Sequence, residues 1–241
     1  MYKTLSSNIE DNLAQIKTKQ FSDFIRTTIN GAIPKASDIT ILSYKDRCGM
    51  ESDELFDIFA EECYTRDVYT KFCSWPIVTD EWISSIAELL RGKKCIEIMA
   101  GNGLISHALQ IHGVDIMPYD NFSWESCMRY TTVYEMDAIT CADTLKFDYI
   151  VCSWPPCGET DICMVLKKMH YKNPNAKMIY IGEALDGITA CDQFFKMTSE
   201  INKGNDARLI DEANRNFKRF YAIHDRIHLL QPNANCRKYH N

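Results

Sequence analysis

Two glycines, Gly101 and Gly103, stand between an apolar run at 95–99 and a helical pattern at 104–111. Glycine lacks a Cβ atom, so the backbone there adopts positive φ and lets a ligand approach closely. The first turn of the helix then offers N–H groups that have no partner within the helix. A strand, a tight turn and a helix N-terminus are also the parts of a dinucleotide site, whose fingerprint is G-x-G-x-x-G. Because position 106 is serine, the third glycine is missing, which counts against a nicotinamide or flavin cofactor. The candidate cofactor-binding residues of this turn are Ala100, Gly101, Asn102 and Gly103.

Three acidic residues accompany three successive apolar runs. Glu97 lies inside the first run, Asp120 ends the second, and Asp137 ends the third, directly before Ala138. A carboxylate at the end of the second strand can accept hydrogen bonds from two ribose hydroxyls. Asp137 could accept from an adenine amino group, and Glu97 suits a ligand with an ammonium group and no pyrophosphate. Each acid alone is more simply a helix cap or a turn residue, but their order predicts an S-adenosylmethionine site.

The fourth apolar run ends in Ser153-Trp154-Pro155-Pro156. Two prolines stiffen the loop and remove two hydrogen-bond donors, and ligands of doubly wound sheets lie at the carboxyl ends of strands. The loop resembles the Asp/Asn/Ser-Pro-Pro-aromatic loop of amino-group methyltransferases that act on adenine, cytosine or glutamine, although Cys157 replaces the aromatic residue. The residue before the prolines is Trp154, so the family's roles do not transfer position by position. Ser153 is the candidate acceptor for the target amine, and Trp154 the candidate to stack on a planar or cationic target. The alternative is a core tryptophan on a rigid turn.

Several segments carry a wider resemblance, over about residues 70 to 232. They are 72–77, 97–103, 119–120, 153–156, 180–183, 189–195 and 223–226. Together they resemble a little-characterised family of methyltransferase-like proteins from fungi and bacteria. The resemblance implies a class I methyltransferase sheet of seven strands and no particular substrate. The loop 184–188 is poorer in glycine than that of the family.

Two further carboxylates are candidates for proton transfer. Glu183 ends the fifth apolar run, so its carboxylate is expected to face the cleft as a general base or cation acceptor. Asp225 could do similar work, but pairing with neighbours to hold the last strands is the favoured interpretation. We therefore include Glu183, with Ser153, Trp154, Pro155 and Pro156, among the predicted catalytic residues.

No metal site and no nucleophilic cysteine are predicted. His224 and His228 are four residues apart, as are Cys236 and His240, which is a possible zinc spacing. However, the first pair is expected on a strand and the second on an irregular terminus. The chain has 11 cysteines without a C-x-x-C pair, and no base is identifiable to lower the pKa of a thiol.

Short apolar runs alternate with helical patterns from residue 94 onward, which predicts a doubly wound, mainly parallel sheet. Before them, helices are expected at about 53–72 and 80–90. The predicted fold class is α/β, with a seven-stranded, class I methyltransferase-like sheet and an N-terminal helical extension. The predicted division is an extension at 1–70 and an S-adenosylmethionine-binding domain at 71–241.

Composition narrows the function without naming a substrate. The net charge of −6 argues against nucleic-acid binding through a basic surface that extends over the whole chain. The hydrophobic content of 46% is that of an ordinary globular protein. The odd cysteine count and the polar N-terminus predict a cytoplasmic protein without a membrane segment. The expected activity is methyl transfer from S-adenosylmethionine to an N or O acceptor of unknown identity. A planar amine in nucleic acid, protein or a small molecule is possible. The alternatives are a non-catalytic S-adenosylmethionine-binding module and a Rossmann-type enzyme of other chemistry.

Overall fold

The computed structural model describes residues 2–124, 128–185 and 187–237. Within them, seven strands form one sheet. The strands are β1 (Cys95–Ile98), β2 (Ile116–Asp120), β3 (Tyr134–Glu135), β4 (Tyr149–Ser153), β5 (Lys177–Gly182), β6 (Thr198–Glu200) and β7 (Arg226–Pro232). Their spatial order is β3-β2-β1-β4-β5-β7-β6. The chain therefore reverses its direction of travel across the sheet between β1 and β4, and ligands of open α/β sheets bind at such a switch point.

The first five strands pair in parallel, and β7 is antiparallel to both β5 and β6. The predicted α/β class, with a doubly wound, mainly parallel seven-stranded sheet behind a helical extension, is confirmed. All residues of β1 and β4 except Ser153 are buried, as expected for parallel strands with helices on both faces.

Helices occupy most of the remaining chain. They are α1 (Tyr2–Ala14), α2 (Lys19–Ile29), α3 (Tyr44–Arg47), α4 (Ser52–Phe72), α5 (Asp80–Leu90), α6 (Leu104–Ile111), α7 (Ala138–Thr144), α8 (Asp161–Lys172), α9 (Asp192–Lys196) and α10 (Asn205–Asn216). The predicted helices at 53–72 and 80–90 thus correspond to α4 and α5. None of the helices in the described ranges has the length and apolar character that crossing a bilayer requires.

The sheet separates two apolar clusters. One cluster joins α2, α4, α5, α6 and α10 to one face of the sheet, and the other joins α7, α8 and α9 to the opposite face. In the first cluster Phe24 of α2 packs against Tyr69 of α4, with ring centroids 5.9 Å apart. Because α4 runs to Phe72, it crosses the predicted boundary at residue 70. The division into 1–70 and 71–241 stays a prediction.

Three strands differ from their sequence patterns. The run at 130–136 contributes only the two residues of β3, since Tyr130 donates its N–H to the Asn102 carbonyl instead of a strand partner. Met99 adopts a φ of 52° and so leaves β1 one residue early. The short edge strand β6 was not predicted from the sequence, because three residues are too few to show an alternating pattern.

Candidate functional site

The two glycines after β1 have different surroundings. Both adopt left-handed backbone conformations, with φ of 57° at Gly101 and 77° at Gly103. A Cβ atom at Gly103 would lie 2.8 Å from the Val133 side chain and 2.9 Å from that of Thr131. A Cβ at Gly101 would meet nothing within 4 Å. Gly103 therefore allows close packing of the chain that follows β2, whereas Gly101 borders open space.

Asp120 holds this turn from the neighbouring strand. Its Oδ2 accepts a hydrogen bond from the Gly101 N–H at 2.8 Å, and its Oδ1 accepts from the Phe122 N–H at 2.7 Å. Each carboxylate oxygen carries a second lone pair, and Asp120 is partly exposed. The side chain can therefore hold the turn and still accept from a ligand hydroxyl.

Glu97 lies beneath the turn and contacts the helix that follows. It is 2% exposed, and its Oε2 accepts from both the backbone N–H and the hydroxyl of Ser106, at 3.1 and 2.5 Å. Burial raises the pKa of Glu97 to about 7, and the two Ser106 hydrogen bonds oppose this rise. These contacts favour a positioning role, in which Glu97 ties β1 to α6. Direct contact with a cofactor stays a prediction.

The turn is braced by Asn102 and Ala100 and also by Arg129, which the sequence patterns did not single out. Asn102 donates from its side chain to the Cys73 carbonyl, while its Oδ1 accepts from the Leu104 N–H at 3.2 Å. Arg129 donates to the Gly101 carbonyl at 2.7 Å. No spacing rule in the sequence links Arg129 to a turn 28 positions earlier. Ala100 is buried and donates its N–H to the Tyr119 carbonyl at 3.1 Å.

Asp137 is the N-cap of α7. Its carboxylate accepts from the Thr140 N–H at 2.8 Å and from the Thr140 hydroxyl at 2.6 Å, and these hydrogen bonds lower its pKa. Ala138 follows as the buried first residue of the helix. Asp137 thus caps a helix, which is the simpler role expected for an acid at a strand end. Recognition of adenine by Asp137 and Ala138 stays a prediction.

Trp154 follows β4 at the switch point and adopts a φ of 49°. Left-handed backbone is costly for a bulky residue and tends to occur at functional sites. Met99 at the end of the adjacent β1 shares this conformation. The indole of Trp154 stacks on that of Trp75, with centroids 5.2 Å apart and planes 13° apart. The Arg66 guanidinium lies 5.7 Å from each ring centroid.

The two prolines pair with a second loop. The Pro155 carbonyl accepts from the Ala190 N–H at 2.9 Å, and Pro156 forms an isolated antiparallel bridge with Thr189. Gly158 then donates to the Ala190 carbonyl at 3.0 Å. The loop that contains the prolines is therefore tied to the chain after β5.

Glu183 connects the loop after β5 to the chain before β7. Its Oε1 accepts from the His224 N–H at 2.7 Å and its Oε2 from the Ile188 N–H at 2.8 Å. The residue is buried, and a Cβ at Gly187 would clash with the Glu183 side chain. Both oxygens are thus engaged by backbone donors, which favours a positioning role. The general-base role stays a prediction, and Asp186 of this loop lies outside the described residues.

Asp225 contacts the loop after β4 from the chain before β7. It is 2% exposed, and its Oδ2 accepts from the Trp154 Nε1–H at 3.1 Å. Its Oδ1 is buried without a hydrogen-bond partner in the described structure, and so is the hydroxyl of Ser153. Burial raises the pKa of Asp225 to about 6, although Trp154 and the nearby Arg219 and Arg66 counteract the shift. Ser153 at the end of β4 and Asp225 before β7 thus each have one buried polar atom for which the described chain supplies no partner.

The possible zinc ligands have other partners. His228 lies 3.0 Å from Glu200, and burial lowers its pKa. His240 lies outside the described residues. Across the described ranges, no group of three or more His, Cys, Asp or Glu side chains could hold a metal ion.

Comparisons with known proteins find similarity only among solved structures. No family model matches the chain, and no curated protein matches it. Human N-acetylserotonin methyltransferase in complex with SAM is 14% identical to this chain, with a TM-score of 0.39. The match covers 89% of this chain and 70% of that protein. The SAH-bound calicheamicin-biosynthesis methyltransferase CalO1 matches at 12% identity, over 90% and 70%, with a TM-score of 0.41. Magnesium protoporphyrin IX methyltransferase from Synechocystis PCC 6803, with bound SAM, matches at 12% identity, over 71% and 97%, with a TM-score of 0.37. Because these identities and TM-scores are low, the function is argued from this chain's own residues.

Proposed function

We propose that this chain is a class I, S-adenosylmethionine-dependent methyltransferase with an N or O acceptor. The observation that carries the proposal is the open side of Gly101 at the end of β1, next to the switch point between β1 and β4. A left-handed glycine there lets a ligand approach the backbone, and Asp120 holds the turn in place. The little-characterised methyltransferase-like family of fungi and bacteria is the group to which we assign the chain.

The proposed cofactor contacts follow the three strand ends. Gly101 and Asn102 give the ligand access to the backbone of the turn, and Asp120 accepts from the ribose hydroxyls through its free lone pairs. Asp137 and Ala138 lie at the third strand end, where the adenine is expected. Glu97 acts indirectly, because its hydrogen bonds to Ser106 fix the turn against α6.

When bound, the cofactor supplies an electrophilic methyl group on a sulfonium. Held by Gly101, Asn102 and Asp120, it would supply this methyl group to the acceptor's lone pair, and the electron pair of the broken carbon–sulfur bond would stay on sulfur. The chain contributes mainly by holding the two reactants in line. The acceptor's proton passes to a carboxylate at this end of the cleft, for which Glu183 is the predicted base.

The acceptor side is formed by the loop after β4. Trp154 presents an indole beside the two unpaired atoms, Ser153 Oγ and Asp225 Oδ1. An amine or hydroxyl on a planar molecule could stack on the indole and donate to one of these oxygens. This arrangement supports a planar acceptor, and the acidic chain disfavours bulk nucleic acid as its carrier.

A second candidate function is a module that binds S-adenosylmethionine without catalysis. One observation favours it, since Trp154 stacks on Trp75 and so already has an aromatic partner. A tightly bound cofactor with no methylated product from any tested amine or phenol would support this alternative.

The decisive experiment is calorimetric titration with S-adenosylmethionine and S-adenosylhomocysteine. We expect about micromolar affinity for the wild type and none for Gly101→Arg, whose side chain would fill the open space. Gly113→Arg is the matched control, because Gly113 also has positive φ and an open Cβ position but lies at the far end of α6. Asp120→Ala should also lose affinity. Absence of binding by folded wild type, or equal loss in Gly113→Arg, would contradict the proposal.

A further inference from the structure

A cavity of about 370 Å³ lies between the N-terminal helices and the chain that precedes β7. Its volume falls within the range of small-molecule sites. Its lining is aromatic and aliphatic apart from one arginine and one cysteine. The lining residues are Tyr44, Arg47, Cys48, Leu55, Phe56, Phe59 and Tyr221.

The walls of this cavity expose aromatic side chains to water. Tyr44 is 74% exposed and Phe56 is 70% exposed. Phe59 packs edge to face on Tyr221, with centroids 6.3 Å apart. Single exposed apolar residues are common, but several aromatic rings around one cavity mark a binding surface.

The one cation in the lining, Arg47, is paired with the buried Glu62, which lies outside the lining. Arg47 and Glu62 are joined at 2.6 Å, with side chains 6% and 5% exposed. Arg47 also donates to the Leu42 carbonyl, and its guanidinium lies 3.9 Å above the centre of the Tyr221 ring. A buried ion pair contributes little net stability compared with apolar packing. Here it fixes the plane of Tyr221 while balancing the charge of Arg47, so the cavity suits an uncharged ligand.

The cavity leads toward the loop after β4 along both of its walls. Phe59, Glu62 and Arg66 lie on one stripe of α4, at i, i+3 and i+7. From Phe59 to Arg66 the helix advances about 10 Å, and Arg66 lies beside the ring of Trp154. On the other wall, the chain runs from Tyr221 to Asp225 in four residues, and Asp225 binds the Trp154 indole.

We propose that this cavity binds the ring system of the methyl acceptor, and that the acceptor is an uncharged, flat, aromatic small molecule. The inference rests on the proposed methyltransferase function and names the substrate class of the same site. The acceptor's rings pack against Tyr44 and Phe56, over the Phe59–Tyr221 pair. Its amine or hydroxyl extends along α4 toward Arg66, which is about 10 Å from Phe59 and lies beside Trp154. The N-terminal extension thereby supplies one wall of the acceptor site.

The test uses 2-naphthol and indole as probes in saturation-transfer NMR with the full chain. We expect both probes to bind the wild type and to bind Phe59→Ala about tenfold more weakly, since an aromatic contact contributes up to about 1.5 kcal/mol. Tyr221→Leu is a second variant that keeps the bulk of the side chain. Tyr171→Ala is the matched control, because Tyr171 is also an exposed aromatic residue but lies on α8, across the sheet. Thermal melts of all variants exclude unfolding as the cause.

Several results would overturn the inference. They are equal probe binding by wild type and Phe59→Ala, binding of 2-naphthoate as tight as that of 2-naphthol, and a wild-type dimer that Phe59→Ala dissociates. Titration with S-adenosylmethionine on the same samples separates the two proposals. If the cofactor binds and the probes do not, only the proposal of an aromatic acceptor is contradicted. Probe binding without cofactor binding contradicts the methyltransferase and leaves only an aromatic site.

Discussion

The glycine turn and the loop after β4 lie at adjacent strand ends but are held in different ways. Around the glycine turn, Glu97, Asp120 and Asp137 each accept two hydrogen bonds, from donors at most 19 positions away. Around the loop after β4, the Trp154–Asp225 hydrogen bond spans 71 positions. The Glu183–His224 contact spans 41 positions. The carboxylates of the first region are thus held by donors nearer in the chain, whereas each carboxylate of the second region also contacts a distant segment.

The two regions also differ in how completely their polar atoms are paired. The acids near the glycine turn have partners, whereas Ser153 Oγ and Asp225 Oδ1 are buried without them. An unpaired buried polar atom costs about 1–3 kcal/mol. The second region therefore carries a stability cost that a bound acceptor would relieve. The variants below test this difference, from the largest expected effect to the smallest.

Trp154→Ala should lower the free energy of unfolding by about 4 kcal/mol. The change removes a large aromatic contact and leaves both oxygens of Asp225 without a donor. Urea denaturation measures the loss. Trp154→Phe keeps a ring but lacks the Nε1–H, so it isolates the hydrogen bond and should lose about half as much. Equal stability of wild type and Trp154→Ala would mean that the Trp154–Asp225 contact does not stabilise the fold.

Asp225→Asn should stabilise the chain at neutral pH by up to about 3 kcal/mol. This is the free energy that corresponds to raising the pKa of Asp225 from 3.8 to about 6 on folding. The folded chain holds this proton more tightly than the unfolded chain. Stability from this group is therefore complete below about pH 4 and is lost as the pH rises through about 6. The amide keeps an acceptor for Trp154 but cannot ionise.

The measurement for Asp225→Asn is unfolding in urea at a series of pH values. The variant and wild type should agree near pH 4, diverge as the pH rises from about 4 to about 6, and differ by a constant amount above that. Glu97→Gln is the control. Because burial raises the pKa of Glu97 from 4.5 to about 7, the pH range over which this group changes the stability ends about one pH unit higher than that of Asp225. Parallel stability curves for wild type and Asp225→Asn would mean that Asp225 does not titrate in this window.

Gly103→Ala should cost about 2 kcal/mol through left-handed strain and overlap with Val133 and Thr131. Val133→Ala in the same chain should recover part of this loss, because it removes the nearest atom. The double-mutant cycle in urea measures the recovery. Gly101→Ala, with the same backbone conformation and no neighbour, should cost less. The opposite order would contradict the assignment of Gly103 to packing and Gly101 to ligand access.

Glu183→Gln should reduce turnover by about tenfold, which is about 1.4 kcal/mol, while S-adenosylmethionine affinity stays unchanged. The amide cannot accept from both the Ile188 and the His224 N–H groups, so one loop is released. S-adenosylhomocysteine formation, with an acceptor found by screening amines and phenols, measures turnover. A pH–rate profile separates the roles, since a general base shifts it and a positioning residue does not. Unchanged turnover would exclude both.

Much of the fold and part of the site could be predicted from the sequence. The apolar runs gave β4 and β5 because buried parallel strands are continuously apolar, and glycine spacing identified the turn at Gly101. The roles of Asp225, Arg129 and Trp75 could not be predicted. Their partners lie in distant segments, and a single side chain carries no sign of which strand end it will meet. The cavity around Phe59 and Tyr221 was also invisible, because its walls come from α4 and the chain before β7.

By itself, the sequence determined the alternation of strands and helices and the place of the glycine turn. Both depend on periodicity and on the backbone freedom of single residues, which are local properties. Only the tertiary structure decided which glycine faces open space, which carboxylates are satisfied and which aromatic residues surround the cavity. Each of these depends on burial and on contacts between distant segments, which exist only once the sheet is assembled.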